Sequence, residues 1–165
     1  MFTGPTKYYQ AAKSVQEAVD AALSNQVERS GVVPGAIAWD DCSCGLLAVS
    51  IGRTYLSDQF PYEQDSKTGN CQAAWEVCEL IVQVIRCAPQ PADGQVSPDE
   101  DDLDSAAQVM AADAQQTISA LSTWGCDHVD VDVVDTILLG VEPQGPDGDC
   151  VGSEFRFRVA FIRSF

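Results

Sequence analysis

The chain has 165 residues, with 9 Lys plus Arg against 25 Asp plus Glu and a formal net charge of −16. With 45% hydrophobic residues it can build one core, so a single domain over residues 1–165 is expected. The scarcity of Lys and Arg argues against gripping nucleic acid through its phosphates or docking on an anionic membrane, and no apolar run reaches the roughly 20 residues that span a bilayer.

Met1 to Gln10 carries one Lys and no apolar h-region, so it does not read as a secretory signal and synthesis in a cytoplasm is expected. From Thr6 to Val27 the apolar residues Val15, Ala18, Val19, Ala22 and Leu23 recur at steps of three and four, the stripe of a helix. Ser14 and Glu17 have capping-box spacing inside it, although the helical pattern can begin near Tyr8. Ser30-Gly31 and Val33-Pro34-Gly35 read as its end. Leu46 to Leu56 alternates, with Leu47, Val49, Ile51, Arg53 and Tyr55 on one side, and reads as a strand. Ser57 to Asn70 is polar and turn-rich, a long loop.

Gln72 to Cys87 suits either a helix face or a strand. Its β-branched residues Val77, Ile81, Val82, Val84 and Ile85 favour a long strand, bulged near Val77 to Glu79. After a linker, Ser97 reads as an N-cap, with Pro98 at the first helical position and Glu100 completing a capping box. Asp99 to Asp104 loads the helix start with negative charge, where the helix dipole favours it. Leu103, Ala107, Met110, Ala114, Ile118 and Leu121 then form an apolar stripe to about Thr123, with Gly125 as the C′ residue. Val129 to Val141 reads as a strand, Pro143 to Asp149 as a turn-rich stretch, and Ser153 to Phe165 as a strand pairing back on Val133–Val141. The order α-β-β-α-β-β predicts an α+β fold, a four-stranded, mostly antiparallel sheet flanked by two helices.

The chemistry of the chain is sparse. Seven cysteines, Cys42, Cys44, Cys71, Cys78, Cys87, Cys126 and Cys150, form no C-x-x-C, and reduced thiols are expected. Cys78 and Cys87 read as small buried residues. A zinc site or a thiol-dependent enzyme using Cys42, Cys44 and Cys71 has only weak spacing behind it. The single His128 sits beside Cys126 and reads as a surface residue near a helix end. Asp127, Asp130, Asp132 and Asp135 lack the pattern of an EF-hand, and Asp147-Gly148-Asp149 is first a turn. No nucleophile elbow, P-loop, dinucleotide fingerprint or zincin motif is present, so neither catalysis nor a cofactor is expected.

Three phrases carry a resemblance. They are Pro34-Gly35-Ala36-Ile37-Ala38-Trp39-Asp40-Asp41-Cys42; Ala73-Ala74-Trp75-Glu76-Val77 leading into Val84-Ile85-Arg86-Cys87-Ala88-Pro89; and Gly145-Pro146-Asp147-Gly148-Asp149-Cys150-Val151-Gly152-Ser153-Glu154 with the closing aromatic strand. With the order of segments, they resemble the tail terminator proteins of long-tailed bacteriophages, most closely those infecting mycobacteria and related actinobacteria. The resemblance implies an α/β protomer of a homo-hexameric ring. Such a ring caps the tail tube, ends its polymerisation and joins the tail to the head connector, assembling in the host cytoplasm and remaining in the virion. DNA passes through without specific binding. Head-completion or stopper proteins of the neck are the alternative in the same class.

In such a ring Asp99, Glu100, Asp101, Asp102, Asp130 and Asp132 are the candidate channel-facing acids. Five of the nine basic residues, Arg53, Arg86, Arg156, Arg158 and Arg163, lie in expected strands, and Arg53, Arg86, Arg156 and Arg158 are the candidate intersubunit cations. Pairing within the chain is the other reading of these arginines. The loops at 57–70 and 143–152 are long enough to reach neighbours.

Overall fold

A computed structural model describes residues 2–35, 45–64, 73–129 and 133–163. After a short 3-10 turn at Gly4–Thr6 the elements are α1 (Lys7–Ala22), β1 (Arg29–Val33), β2 (Leu46–Ser57), β3 (Trp75–Cys87), α2 (Glu100–His128), β4 (Asp135–Asp147) and β5 (Cys150–Ile162). The α+β class agrees with the expectation, but the sheet has five strands, in the order β1-β2-β3-β5-β4. β1 pairs parallel to β2 and the other pairings are antiparallel.

Both helices cover one face. The core there joins Ala11, Val15 and Val19 of α1 and Leu121 and Trp124 of α2 to Leu47 and Val49 of β2, Leu80, Val82 and Val84 of β3, and Phe155, Phe157, Val159 and Phe161 of β5. The alternation in β3 and β5 is the physical reason: every second side chain is apolar and enters this layer. The intervening residues, among them Glu79, Gln83, Glu154, Arg156 and Arg158, point to the face without helices.

Several boundaries correct the sequence reading. Arg29–Val33 lies in the stretch taken as the end of the first helix, yet it forms a strand because β2 supplies a parallel partner. The expected bulge lies on β2: the register shifts between Ile51 and Thr54, opposite Leu80 and Cys78 of β3. One extra residue there moves Tyr55 to the face opposite Leu47, Val49 and Ile51. Asp99, not Ser97, caps α2, its side chain accepting from the Asp101 amide at 3.1 Å. Ser14 is interior to α1 and caps nothing.

α2 also continues through Gly125 to His128, so β4 starts at Asp135 instead of Val129. A Cβ on Gly125 would collide with Oγ1 of Thr136, so the glycine serves the close crossing of α2 over β4 and is not a C′ residue. The stretch taken as a turn from Pro143 to Asp149 is largely strand. β4 runs to Asp147 and reverses tightly through Gly148, whose φ of +58° suits a two-residue hairpin. Pro143 and Pro146 are tolerated because β4 is an edge strand with one unpaired side.

Candidate functional site

Arg86 leaves β3 on the helix-covered side and reaches α2. Its Nε donates to Asp113 Oδ2 at 2.8 Å and its Nη2 to Oδ1 at 2.9 Å. The same guanidinium donates to the Asn25 carbonyl at 2.6 Å and the Gln26 carbonyl at 3.2 Å. The side chains are 13% and 3% exposed, so this is a buried, two-point charge clamp joining β3, α2 and the segment after α1. Sequence reasoning missed Asp113, because it falls on a helix where an acid ordinarily faces water.

The open face of the sheet holds a second charged group. Glu79, nearly buried, accepts from Arg158 Nε at 2.9 Å and lies 4.0 Å from Arg156, which also pairs with Glu154 at 3.2 Å. Residues 57–64 fold back onto this face: Tyr55 donates to the Pro61 carbonyl at 2.5 Å and Arg158 to the same oxygen at 3.3 Å. Arg53 pairs with Glu63. Each of Arg53, Arg86, Arg156 and Arg158 therefore has a carboxylate partner within its own chain. Only Arg53 and Arg156, with side chains 63% and 49% exposed, keep a guanidinium open to a neighbour.

Asp99, Glu100, Asp101 and Asp102 stand exposed at the start of α2. Asp130 and Asp132, like Cys42, Cys44 and Cys71, lie outside the described residues. No side chain between residues 87 and 112 is buried; Asp113 is the first. Arg86 stands one residue from the end of β3, so the clamp marks the lower end of the sheet. The thirteen residues of α2 before Asp113 overhang it by about 20 Å at 1.5 Å per residue. The apolar stripe expected to face the core does so only in its C-terminal half: Leu121 is buried and Ala114 packs against the core, while Leu103 is 48% exposed and Ile118 38%. The buried stripe is Asp113, Thr117, Leu121 and Trp124. The last three are in heptad register with Leu103, Ala107, Met110 and Ala114, so the same row lies open where the helix runs past the Arg86 clamp.

At the N-terminal end of α1, Glu76 of β3 pairs with Lys7 and accepts from the Tyr8 hydroxyl at 2.9 Å. Burial works against the Glu76 carboxylate. The hydrogen bonds from Lys7 and Tyr8, with the charges of Lys7 and Arg163, outweigh it and hold the pKa below the ordinary carboxylate value. Burial first, and then the bond to Glu76, push the Tyr8 phenol upward.

His128 is half-buried, not a surface residue. Its ring stacks on Trp124 at 4.2 Å and on Phe2 at 5.4 Å, and its Nδ1 lies 2.7 Å from the Trp124 carbonyl, which as an acceptor assigns the hydrogen to Nδ1. Trp124 donates to Ser14 Oγ at 2.9 Å. Beside this stack, small residues of α1 and α2, among them Ala18, Ala22 and Ala120, line a groove of about 510 Å³.

Cys78 is buried as expected, and burial pushes its thiol up to about 12, which makes it unreactive. Cys87 is exposed, because it ends β3 beyond the core layer. Cys150, buried at the start of β5, is disulfide-bonded, against the expectation of reduced thiols. That expectation rested on compartment alone, and spatial proximity decides pairing. Among the described residues no three His, Cys, Asp or Glu side chains converge as a metal site. No described helix is long and apolar enough to cross a membrane. No protein-family model matches the chain, and a search of curated proteins finds no match.

Proposed function

We propose that the chain is a structural assembly protein of the tail-terminator kind. It is a protomer of a hexameric ring that caps a phage tail tube, ends its polymerisation and joins the tail to the head connector, with DNA passing through. The observation that supports this reading is regular structure that the chain does not cover by itself. The first thirteen residues of α2 bury no side chain, and β4, thirteen residues long, is an edge strand with one unpaired side. A helix gains most of its stability from packing and a long edge strand invites pairing, so both suit a subunit that its neighbours in an assembly, identical or different, complete. Of the four candidate arginines, Arg53 and Arg156 are the two whose exposure suits subunit contacts.

The test is addition of the purified chain to polymerising tail tube protein. Tubes that stop at a uniform end carrying a six-membered ring support the reading. Tubes that grow unchanged, with the chain monomeric beside them, overturn it. A ring found next to the portal in the intact particle assigns the chain to the stopper position instead.

A further inference from the structure

We propose that the apolar row of α2 ahead of the Arg86 clamp is a docking seam for a basic amphipathic helix of another protein. The seam comprises Leu103, Ala107, Met110 and Ala114, spaced by 4, 3 and 4 residues, and continues at the same spacing into the buried Thr117, Leu121 and Trp124. That spacing is the a/d seam of a paired helix, and the two alanines permit close approach of a partner. The stripe lies on the flank of α2 turned away from α1. The groove side carries Ala120 and Thr123, and Gln116 bonds to Ser24 after α1.

Two independent observations point to an occupant. The first is burial: this row is covered by the sheet at Thr117, Leu121 and Trp124 but is left open before Asp113, with Leu103 48% exposed, because the helix there runs past the Arg86 clamp near the end of β3. The second is charge. Asp99, Glu100, Asp101, Asp102 and Asp104 surround the start of the seam, and no described Lys or Arg is paired with any of them. A second copy of this chain, at −16, would bring more carboxylates against them. A helix with an apolar seam flanked by Lys or Arg matches both features. The assignment does not rest on the ring reading, and it gives these carboxylates to a protein partner instead of a channel wall.

The experiment uses the full chain and a labelled synthetic helix of three heptads, with Leu at the seam and Lys on its flanks, followed by fluorescence anisotropy. Saturable 1:1 binding is expected. Leu103→Ser with Met110→Ser, which leaves the charge unchanged, should weaken it at least about tenfold. Glu100→Gln with Asp104→Asn should weaken it and flatten its salt dependence. All four side chains are exposed or half-exposed, and circular dichroism checks that each variant folds. Absence of binding overturns the proposal. Binding untouched by the serine pair also overturns it, because the peptide would then be sensing net charge alone. Sedimentation showing that Leu103 and Met110 drive self-association overturns it in favour of a second copy.

Discussion

Arg86 and Asp113 show how a single pair can orient an element. Nε, Nη1 and Nη2 of the guanidinium all donate within the protein, and the carboxylate is almost sealed from water. Removing one partner leaves the other charge buried, so Arg86→Ala or Asp113→Ala should each cost about 3–5 kcal/mol in urea unfolding. Replacing both by apolar residues, as in Arg86→Met with Asp113→Leu, should recover most of that loss. Thr117 is the opposite case. Its hydroxyl is fully buried with no hydrogen-bond partner, so Thr117→Val should stabilise the chain by about 1 kcal/mol in the same measurement. The Glu76 group sets the pH limits. A carboxylate held below its ordinary 4.5 contributes stability that is present above that pH and lost as pH falls through the folded value. A phenol raised above its ordinary 10.0 contributes stability that is present below pH 10 and lost as pH rises beyond it. Melting temperature against pH should therefore fall at both ends; Glu76→Gln should flatten the acid limb and Tyr8→Phe the alkaline one.

At the scale of elements, Gly125 carries the contact between α2 and β4. Helix propensity alone predicts that Gly125→Ala stabilises a helix interior by about 1 kcal/mol. The collision of an added Cβ with the Thr136 hydroxyl predicts the reverse, a loss of about 1–3 kcal/mol, with Gly125→Ala plus Thr136→Ala restoring most of it in thermal unfolding. This residue also marks how far the sequence could be read. Strands whose signal is local were legible: β3 by its β-branched content, and β5 by Phe155, Phe157, Val159 and Phe161 alternating with Arg156 and Arg158. β1 was not, since Arg-Ser-Gly-Val-Val holds two apolar residues and its strand state depends on parallel pairing with β2. The stripe of α2 was legible as amphipathic, and Leu121 and Ala114 do meet the core; that its first half lies open was not, because the place where the helix leaves the sheet is marked by an arginine 27 residues away. The candidate arginines were found as strand residues. Their carboxylate partners follow from register, as Glu79 opposite Arg158 does, and register is not written in spacing.

At the scale of the whole molecule, charge gives the two kinds of contact opposite salt dependence. Copies at −16 repel, and the proposed six-membered ring would bring 96 formal negative charges together. The Debye length is about 10 Å at 0.1 M salt, so added salt screens repulsion between exposed carboxylates of neighbouring copies. Ring formation should therefore strengthen as NaCl rises from about 0.05 to about 0.5 M, seen by sedimentation as a shift toward the hexamer. The buried Arg86–Asp113 clamp is screened far less, so the fold itself should hold throughout. A basic helix on the α2 seam is attracted by the same carboxylates, and its affinity should fall over the same range. Sedimentation and anisotropy on one salt series separate these effects. Self-association that weakens with salt would mean that cross-subunit ion pairs, with Arg53 and Arg156 the exposed candidates, outweigh the net repulsion. Charge reversal at Arg156 would then abolish the ring while leaving peptide binding at Leu103 and Met110 intact.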